Sequence, residues 1–248
     1  RARPDAAEEV LRPLRAELVR EPRSVEARWR LMRALYFAGE YAAADAAAAK
    51  ASFLEASRIA DEALALLRVR AGGSRADLSR ATPVDLVPRL GGETSAAPTF
   101  EWGAVAWGMY SLAEGILAAA LAGAATRVRD LAEATLRLDP AIDDDAGDRT
   151  LGRLHHKTPA VPFVTGWVSA REAVRHLRQA VAAAPTSLVN RIFLAEALRD
   201  LEPAGRDEAV AIAEAVVRGA PDPKWLVEHE RAREDAKAFL PSGRGARR

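Results

Sequence analysis

The chain contains no cysteine, which excludes disulfides, thiolate zinc sites and cysteine nucleophiles. This absence fits the periplasm as well as the cytosol. The chain also lacks an excess of charge of either sign, because 36 lysine and arginine residues stand against 35 aspartate and glutamate residues. A formal net charge of +1 creates no strong overall field, so we expect no nucleic-acid partner.

Residues that favour β-strands are scarce, and aromatic residues make up only 6% of the chain. Alanine, leucine, arginine and glutamate are abundant instead, and these residues favour helices. A chain of 248 residues is long enough to bury a substantial core, as one large domain or two modest ones. The composition therefore predicts an all-α fold.

Motifs for catalysis and for phosphate binding are missing as well. The sequence has no serine, histidine and acid arrangement and no dinucleotide fingerprint. The glycine pairs at 72–73 and 91–92 lack the lysine or the strand context that a phosphate-binding loop requires. We therefore predict that the protein is not an enzyme and uses no cofactor.

No signal peptide is visible, and the chain opens on Arg1. This pattern predicts a mature or trimmed form. An exported protein that has lost its leader and lipidated cysteine would have this sequence, and so would a cytosolic fragment. At the other end, we expect residues 241–248 to form a disordered tail.

One long apolar stretch is present, from 102 to 125, and Glu114 is its only ionisable residue. A helix that is apolar on every side must be buried on every side, in a helical core or in a membrane. The charge in its middle and the preponderance of alanine and glycine favour the core. We therefore expect a buried central helix, with Glu114 paired with an arginine or set in a polar pocket.

Amphipathic helices are predicted on both sides of this stretch, but their pattern breaks between 72 and 98, where glycine and proline recur. A connection of this length is a functional loop or a seam between halves. The sequence thus predicts N-terminal helical hairpins at 1–71, an irregular connection at 72–98 and a C-terminal helical repeat region at 99–240. The first and last of these are expected to form one continuous domain.

An internal repeat supports a stack of helical hairpins. Four helices place apolar or small residues before a terminal proline at the same spacings, and the fourth does so more loosely: Val128, Ala132, Thr135, Pro140; Ala173, Leu177, Ala180, Pro185; Ala209, Ala213, Val216, Pro221; Val10, Leu14, Glu17, Pro22. The pattern resembles the tetratricopeptide repeat, in which small residues let paired helices approach closely. Tyr41, Ala44, Ala48 and Ala51 match the start of a second repeat helix. Unequal distances between the prolines predict insertions in the stack.

A more specific resemblance covers most of the chain from about Trp29 to Val217. The residues that carry it, in order, are the aromatic helix at Trp102, Leu138-Asp139-Pro140, Leu151-Gly152-Arg153-Leu154-His155, Pro159, Pro162, Gly166, the segment from Ala180 to Pro185, and Asn190-Arg191-Ile192-Phe193-Leu194-Ala195-Glu196. They resemble the T-component proteins of tripartite ATP-independent periplasmic (TRAP) transporters. The resemblance implies a periplasmic, lipid-anchored helical protein that handles a ligand beside a substrate-binding or membrane transporter subunit.

The aromatic and apolar residues suggest where such a ligand would bind. The candidates for a cavity between the central helix and the loop after Val161 are Trp102, Trp107, Met109, Tyr110, Glu114, Phe163, Val164 and Trp167. A hydrophobic, lipid-like molecule is the first hypothesis. The alternative is a protein-interaction scaffold without its own small molecule, with an arginine-rich face at Arg28, Arg30, Arg33 and Arg191. An oligomer is compatible with both hypotheses.

Two segments contain residue types that can bind metal ions. His155 and His156 are neighbours in the sequence and point about 100° apart on a helix, so they do not converge on one ion. The acidic segment 143–148 partly matches a calcium loop, but Gly147 is misplaced and Leu154 occupies the position of the closing glutamate. We therefore predict no metal site.

Overall fold

The computed structural model describes residues 4–74, 80–115, 117, 119 and 123–240. Across these ranges the chain forms eleven α-helices and no β-strand, which confirms the all-α prediction. The helices are α1 (Pro4–Arg20), α2 (Val25–Phe37), α3 (Ala46–Ala71), α4 (Pro83–Leu90), α5 (Ala96–Glu114), α6 (Ala124–Leu138), α7 (Ala146–Lys157), α8 (Ala170–Ala183), α9 (Leu188–Leu201), α10 (Arg206–Arg218) and α11 (Leu226–Phe239).

The helices group into two compact units. The first unit takes in Arg1–Ile142 and Thr158–Trp167, and the second takes in Asp143–Lys157 and Val168–Arg248. The division therefore does not fall in the glycine- and proline-rich connection at 72–98. That connection contains α4, which packs against α3 and α6 and so belongs inside the first unit.

The core of the first unit is built where α2, α3 and α5 pack against one another. Leu31 and Leu35 of α2, Ile59 of α3, and Trp102 and Ala106 of α5 are all buried in one cluster. Four large apolar side chains of α3 are also buried, at 5% exposure for Phe53, 7% for Ile59, 8% for Leu64 and 0% for Leu67. At 3.6 residues per turn these four positions lie on one face of the helix.

The central apolar helix differs from the prediction at both ends. It begins at Ala96 and ends at Glu114, because Gly115 has φ +115°, a conformation that L side chains rarely adopt. Only its first half is buried, and Leu112 is 49% exposed. The expectation of a helix buried on every side to residue 125 is therefore wrong. Alanine and glycine expose little apolar area, so a stretch rich in them lies near solvent at small cost.

The junction between α2 and α3 also differs from the prediction. The chain continues from α2 into a π-helical turn at Ala38–Ala42, and α3 begins only at Ala46, with the Asp45 side chain accepting a hydrogen bond from the Ala48 amide. Tyr41 and Ala44 therefore precede α3 rather than opening it. Gly39 is needed in the turn because a Cβ there would lie 2.5 Å from the ring of Phe53.

In the second unit, α7 to α11 form a succession of packed neighbours, with α8 between α7 and α9 and with α9 against both α10 and α11. Its core cluster includes Leu177, Leu188, Ile192, Leu198 and Val216, each at most 2% exposed. Helix α8 begins after Ser169, whose hydroxyl accepts a hydrogen bond from the Glu172 amide and caps the helix.

The repeated spacing found in the sequence corresponds to buried helix faces. The repeat residues before Pro140, Pro185 and Pro221 are at most 4% exposed in every case. The looser copy before Pro22 differs, because Val10 is 55% exposed. The spacing therefore marks the face on which α6, α8 and α10 pack closely against their neighbours.

Two predictions concern residues that lie outside the described ranges: the disordered tail at 241–248, and residues 116, 118 and 120–122 of the apolar stretch. Where the structure does describe the chain, no helix is both long enough and apolar enough to cross a membrane.

Candidate functional site

The first of the predicted site residues, Trp102, belongs to the core. Its side chain is 6% exposed, and its ring packs at a tilt against Tyr36, with 5.7 Å between the ring centroids. The guanidinium of Arg33 lies 5.6 Å from the centroid of the Trp102 ring. Trp102 thus joins α5 to α2 and stabilises the first unit.

Trp107 lies one and a half turns further along α5 and is only half-buried. Its indole Nε1 donates a hydrogen bond of 3.3 Å to Oδ1 of Asp61 on α3. The guanidinium of Arg127, from α6, stacks over the same ring at 4.1 Å from the centroid. Arg127 also donates to both carboxylate oxygens of Asp61, at 2.8 and 3.0 Å, so three helices fix the orientation of this indole.

Tyr110 and Glu114 continue the same face towards the end of α5. The Tyr110 ring meets Trp107 edge to face, with 6.0 Å between centroids. Oε2 of Glu114 lies 2.7 Å from Nζ of Lys50 on α3. This hydrogen bond, more than any other influence, lowers the pKa of Glu114 and raises the pKa of Lys50.

The prediction for Glu114 was wrong in both of its forms. The side chain is neither buried beside an arginine nor enclosed in a polar pocket, since it is 40% exposed and its partner is a lysine. Because α5 is covered only in its first half, its last turn reaches solvent, where a carboxylate stays hydrated.

We call this surface the Trp107 face and define it by the six side chains described above: Lys50, Asp61, Trp107, Tyr110, Glu114 and Arg127. Met109, another of the predicted residues, is half-buried. Sequence reasoning found the aromatic members but missed the charged ones on α3 and α6. One signal was available for α3, because Lys50 and Asp61 are eleven residues apart, about three helical turns, and so share a face.

The loop after Val161, which was predicted to close a cavity, is held in place by hydrogen bonds of Thr165, a residue that is only 1% exposed. Its hydroxyl donates to the Pro159 carbonyl at 2.6 Å and accepts from the Val161 amide at 2.9 Å. Phe163 stands fully exposed on this loop with φ +64°, so its side chain encloses no cavity. Val164 is half-buried.

Trp167 completes the eight predicted residues. It is half-buried, and the guanidinium of Arg129 lies 4.6 Å from its ring centroid. The structure thus gathers Trp107, Tyr110 and Glu114 on one face, while Trp102 is in the core and Phe163 projects into solvent.

An open groove of about 490 Å³ lies elsewhere in the first unit, between α1, α2 and α3. Its lining residues are Arg15, Leu18, Leu31, Ala51, Leu54, Glu55, Arg58, Ile59 and Glu62. None of the eight predicted residues lines it. Arg15 and Glu55 are joined across α1 and α3 by hydrogen bonds of 2.7 and 2.9 Å.

The histidine pair occupies structural positions in the second unit. Burial lowers the pKa of His156, whose Nε2 lies 3.0 Å from Oδ2 of Asp200 on α9. His155 stacks on His176 with 5.9 Å between ring centroids, and its Nδ1 accepts a hydrogen bond from the Ser169 amide. In the part of the chain that the structure covers, no group of three or more acidic or histidine side chains is arranged to hold a metal ion.

Comparisons with known protein families and with curated proteins found no match to this chain.

Proposed function

We propose that the chain is a transport-associated helical-repeat protein of the periplasm that binds a protein partner through the Trp107 face. The resemblance to TRAP T-components supports the transport role and the location. The binding role is supported by the geometry of Trp107, which is half-exposed and already held in one orientation by Asp61 and Arg127.

The composition of the Trp107 face is that of an interaction hot spot. Tryptophan, tyrosine and arginine contribute more binding energy at protein interfaces than other residue types. Here the Asp61 carboxylate fixes Arg127 and Trp107 before any partner arrives. Little side-chain entropy is then lost on association, which favours affinity.

The partner that the resemblance implies is a substrate-binding subunit of a TRAP transporter. Binding of the whole chain to such a purified subunit is measured by isothermal titration calorimetry. We expect Trp107→Ala and Arg127→Ala each to weaken binding by about 10-fold or more, because truncation of a hot-spot residue typically costs about 2 kcal/mol or more.

A matched control is available in the same unit. Trp167 and Arg129 form a second tryptophan–arginine stack outside the Trp107 face. Trp167→Ala should leave the affinity within about 2-fold, since ordinary surface changes have small effects. Equal losses at Trp107 and Trp167, or no binding by the unaltered chain, would contradict the proposal.

A hydrophobic small molecule is the second candidate ligand for this region. Leu112 and Leu117 follow Tyr110 in the sequence and are 49% and 58% exposed, so apolar side chains reach solvent near the end of α5. Native mass spectrometry of detergent-free protein tests this idea. A co-purifying hydrophobe that is lost in Trp107→Ala would support it, and a chain free of any hydrophobe would count against it.

The periplasmic location has its own test. A lipid-anchored periplasmic protein should be found with the membrane fraction of its native cells and be cleaved by protease added to spheroplasts that retain it. Recovery from the cytosolic fraction would contradict this part of the proposal without affecting the binding role.

A further inference from the structure

Three consecutive aspartates form an unusual turn at the start of α7, in the second unit. Asp143, Asp144 and Asp145 have φ angles of 44°, 61° and 60°, in the left-handed region that non-glycine residues seldom enter. Residues keep this strained backbone conformation only where contacts with the surrounding structure hold it in place.

Two side chains hold this turn by its carbonyl groups. Arg149 of α7 donates to the Asp143 carbonyl at 2.9 Å. Asn190 of α9 is fully buried, and its amide nitrogen donates to the Asp144 carbonyl at 2.8 Å and to the Ala180 carbonyl at 3.0 Å. The turn is therefore tied to both neighbouring helices.

The third aspartate of the turn is buried beside another carboxyl group. Asp145 is only 5% exposed, and its Oδ1 has no hydrogen-bond partner. The carboxyl group of Asp148, one helical turn further on, adjoins it and is itself hydrogen-bonded to Nδ1 of His176 on α8. Asp148 is only partly buried, with 14% of its side chain exposed. Ionisation of Asp145 is therefore opposed by the loss of hydration and by the charge of Asp148.

The contact made by Nε2 of His176 shows which ring nitrogen carries the proton. Arg175 donates to Nε2 at 2.7 Å, which assigns the ring proton to Nδ1 and makes Nδ1 the donor to Asp148. Asp148 therefore acts as an acceptor towards His176. A retained proton therefore belongs to Asp145, which is buried and whose Oδ1 has no hydrogen-bond partner.

Other charged or titratable groups lie around the turn. Arg149 is on α7, and Glu172, Arg175 and His176 are on α8, where Glu172 approaches His176. Nζ of Lys224 is 3.6 Å from Oδ1 of Asp143, and His229 on α11 is close to Asp144. Arg149 and Lys224 favour ionised aspartates, whereas burial and the mutual repulsion of Asp145 and Asp148 oppose ionisation.

We propose that Asp145 keeps its proton while the turn is closed, and that loss of this proton to water opens the turn at 143–145 and frees the start of α7 from α8 and α9. The turn is thus a proton-controlled switch built into the second unit. This inference does not depend on the function proposed for the Trp107 face.

The direction of the pH effect follows from the buried acid. Burial first, and then the charge of Asp148, raises the pKa of Asp145 from 3.8 to about 6. A pKa that is higher in the closed turn than in the open one means that closure is favoured below about pH 4 and progressively weakened as pH rises through about 6. The switch therefore works in the window between these two values.

Hydrogen exchange of the whole chain tests the proposal at the amides of residues 149–152, the first in α7 that donate to the preceding turn. After correction for the intrinsic effect of pH on exchange, protection should fall by about 30-fold between pH 4.5 and 7.5, since part of the roughly 100-fold effect of a shift of about two pKa units occurs below pH 4.5. Asp145→Asn keeps the shape and the hydrogen-bond acceptor but cannot ionise, so its protection should not change with pH.

The matched control is Asp207→Asn, which removes one exposed aspartate from the first turn of α10 in the same unit. It should keep the pH dependence of the unaltered chain. A pH-independent unaltered chain, or an Asp145→Asn variant that keeps the full pH dependence, would overturn the proposal.

A second measurement guards against a variant that fails to fold. The carboxyl carbon of Asp145 in the unaltered chain is followed by nuclear magnetic resonance as pH changes. Titration near pH 6 supports the retained proton, and titration near pH 4 rules it out. In Asp148→Asn the midpoint should move down but stay above 4, because the repelling charge is removed while the burial that raises the pKa most remains.

Discussion

At the scale of single residues, close approach of helices depends on side chains that are small. Gly152 on α7 lies so near α8 that a Cβ there would be 2.5 Å from Cγ of Leu177 and 3.2 Å from the carbonyl oxygen of Ala173. We expect Gly152→Ala to lower the free energy of unfolding by about 1–3 kcal/mol, because overpacking displaces the backbone. Chemical denaturation measures this change.

Gly108 on α5 is the control for this substitution, since it is also helical but has no atom within 4 Å of an added Cβ. Gly108→Ala should instead stabilise the protein by about 0.5–1 kcal/mol, because alanine loses less backbone entropy in a helix. If both variants stabilised the protein, helix propensity rather than packing would explain the result.

The sequence could predict the aromatic part of the Trp107 face, because Trp107 and Tyr110 are three residues apart and must share one side of a helix. It could not predict Asp61 or Arg127, which reach the indole from other helices. Those contacts depend on how α3, α5 and α6 pack, and the periodicity of any one helix contains no information about its neighbours.

At the scale of secondary-structure elements, a single backbone position decides where α5 ends. Gly115 has φ +115° and ψ +119°, which only glycine adopts without strain. We expect Gly115→Ala to destabilise the protein by about 1–2 kcal/mol. Thermal unfolding followed by circular dichroism measures the loss.

Gly91 provides the comparison for Gly115. It follows α4 at φ −60°, and nothing lies within 4 Å of an added Cβ, so Gly91→Ala should change stability by less than about 0.5 kcal/mol. A neutral Gly115→Ala would mean that the backbone there readily adopts another conformation and that glycine does not determine the end of α5.

Helix types and many helix ends were predictable because their signals are local. Ser24 and Ser169 cap helices, and prolines follow the ends of α1, α6, α8 and α10. The extent of burial along α5 was not predictable in the same way. Counting apolar residues from 102 to 125 overestimated the buried surface because the second half of the stretch is mostly alanine and glycine.

At the scale of the whole molecule, the partition of the chain follows packing rather than composition. The segment from 72 to 98 has the residues of a linker, but α4 within it packs on α3 and α6. The change from one unit to the other falls at 142–143, in an acidic turn between two helices. Turns of that kind are common inside domains, so composition alone did not distinguish it.

This partition predicts how fragments behave. A fragment of residues 99–240, the C-terminal region suggested by the sequence, lacks α1 to α4, and its α5 then has no α2 or α3 to cover Trp102 and Ala106. We expect hydrogen exchange to show unprotected amides in α5, while α9 stays protected by the core cluster of α8 to α11.

Adding residues 1–98 in trans should restore protection to α5, because that fragment supplies α2 and α3. Full protection of α5 in the fragment alone would mean that α5 does not need α2 and α3 for its stability.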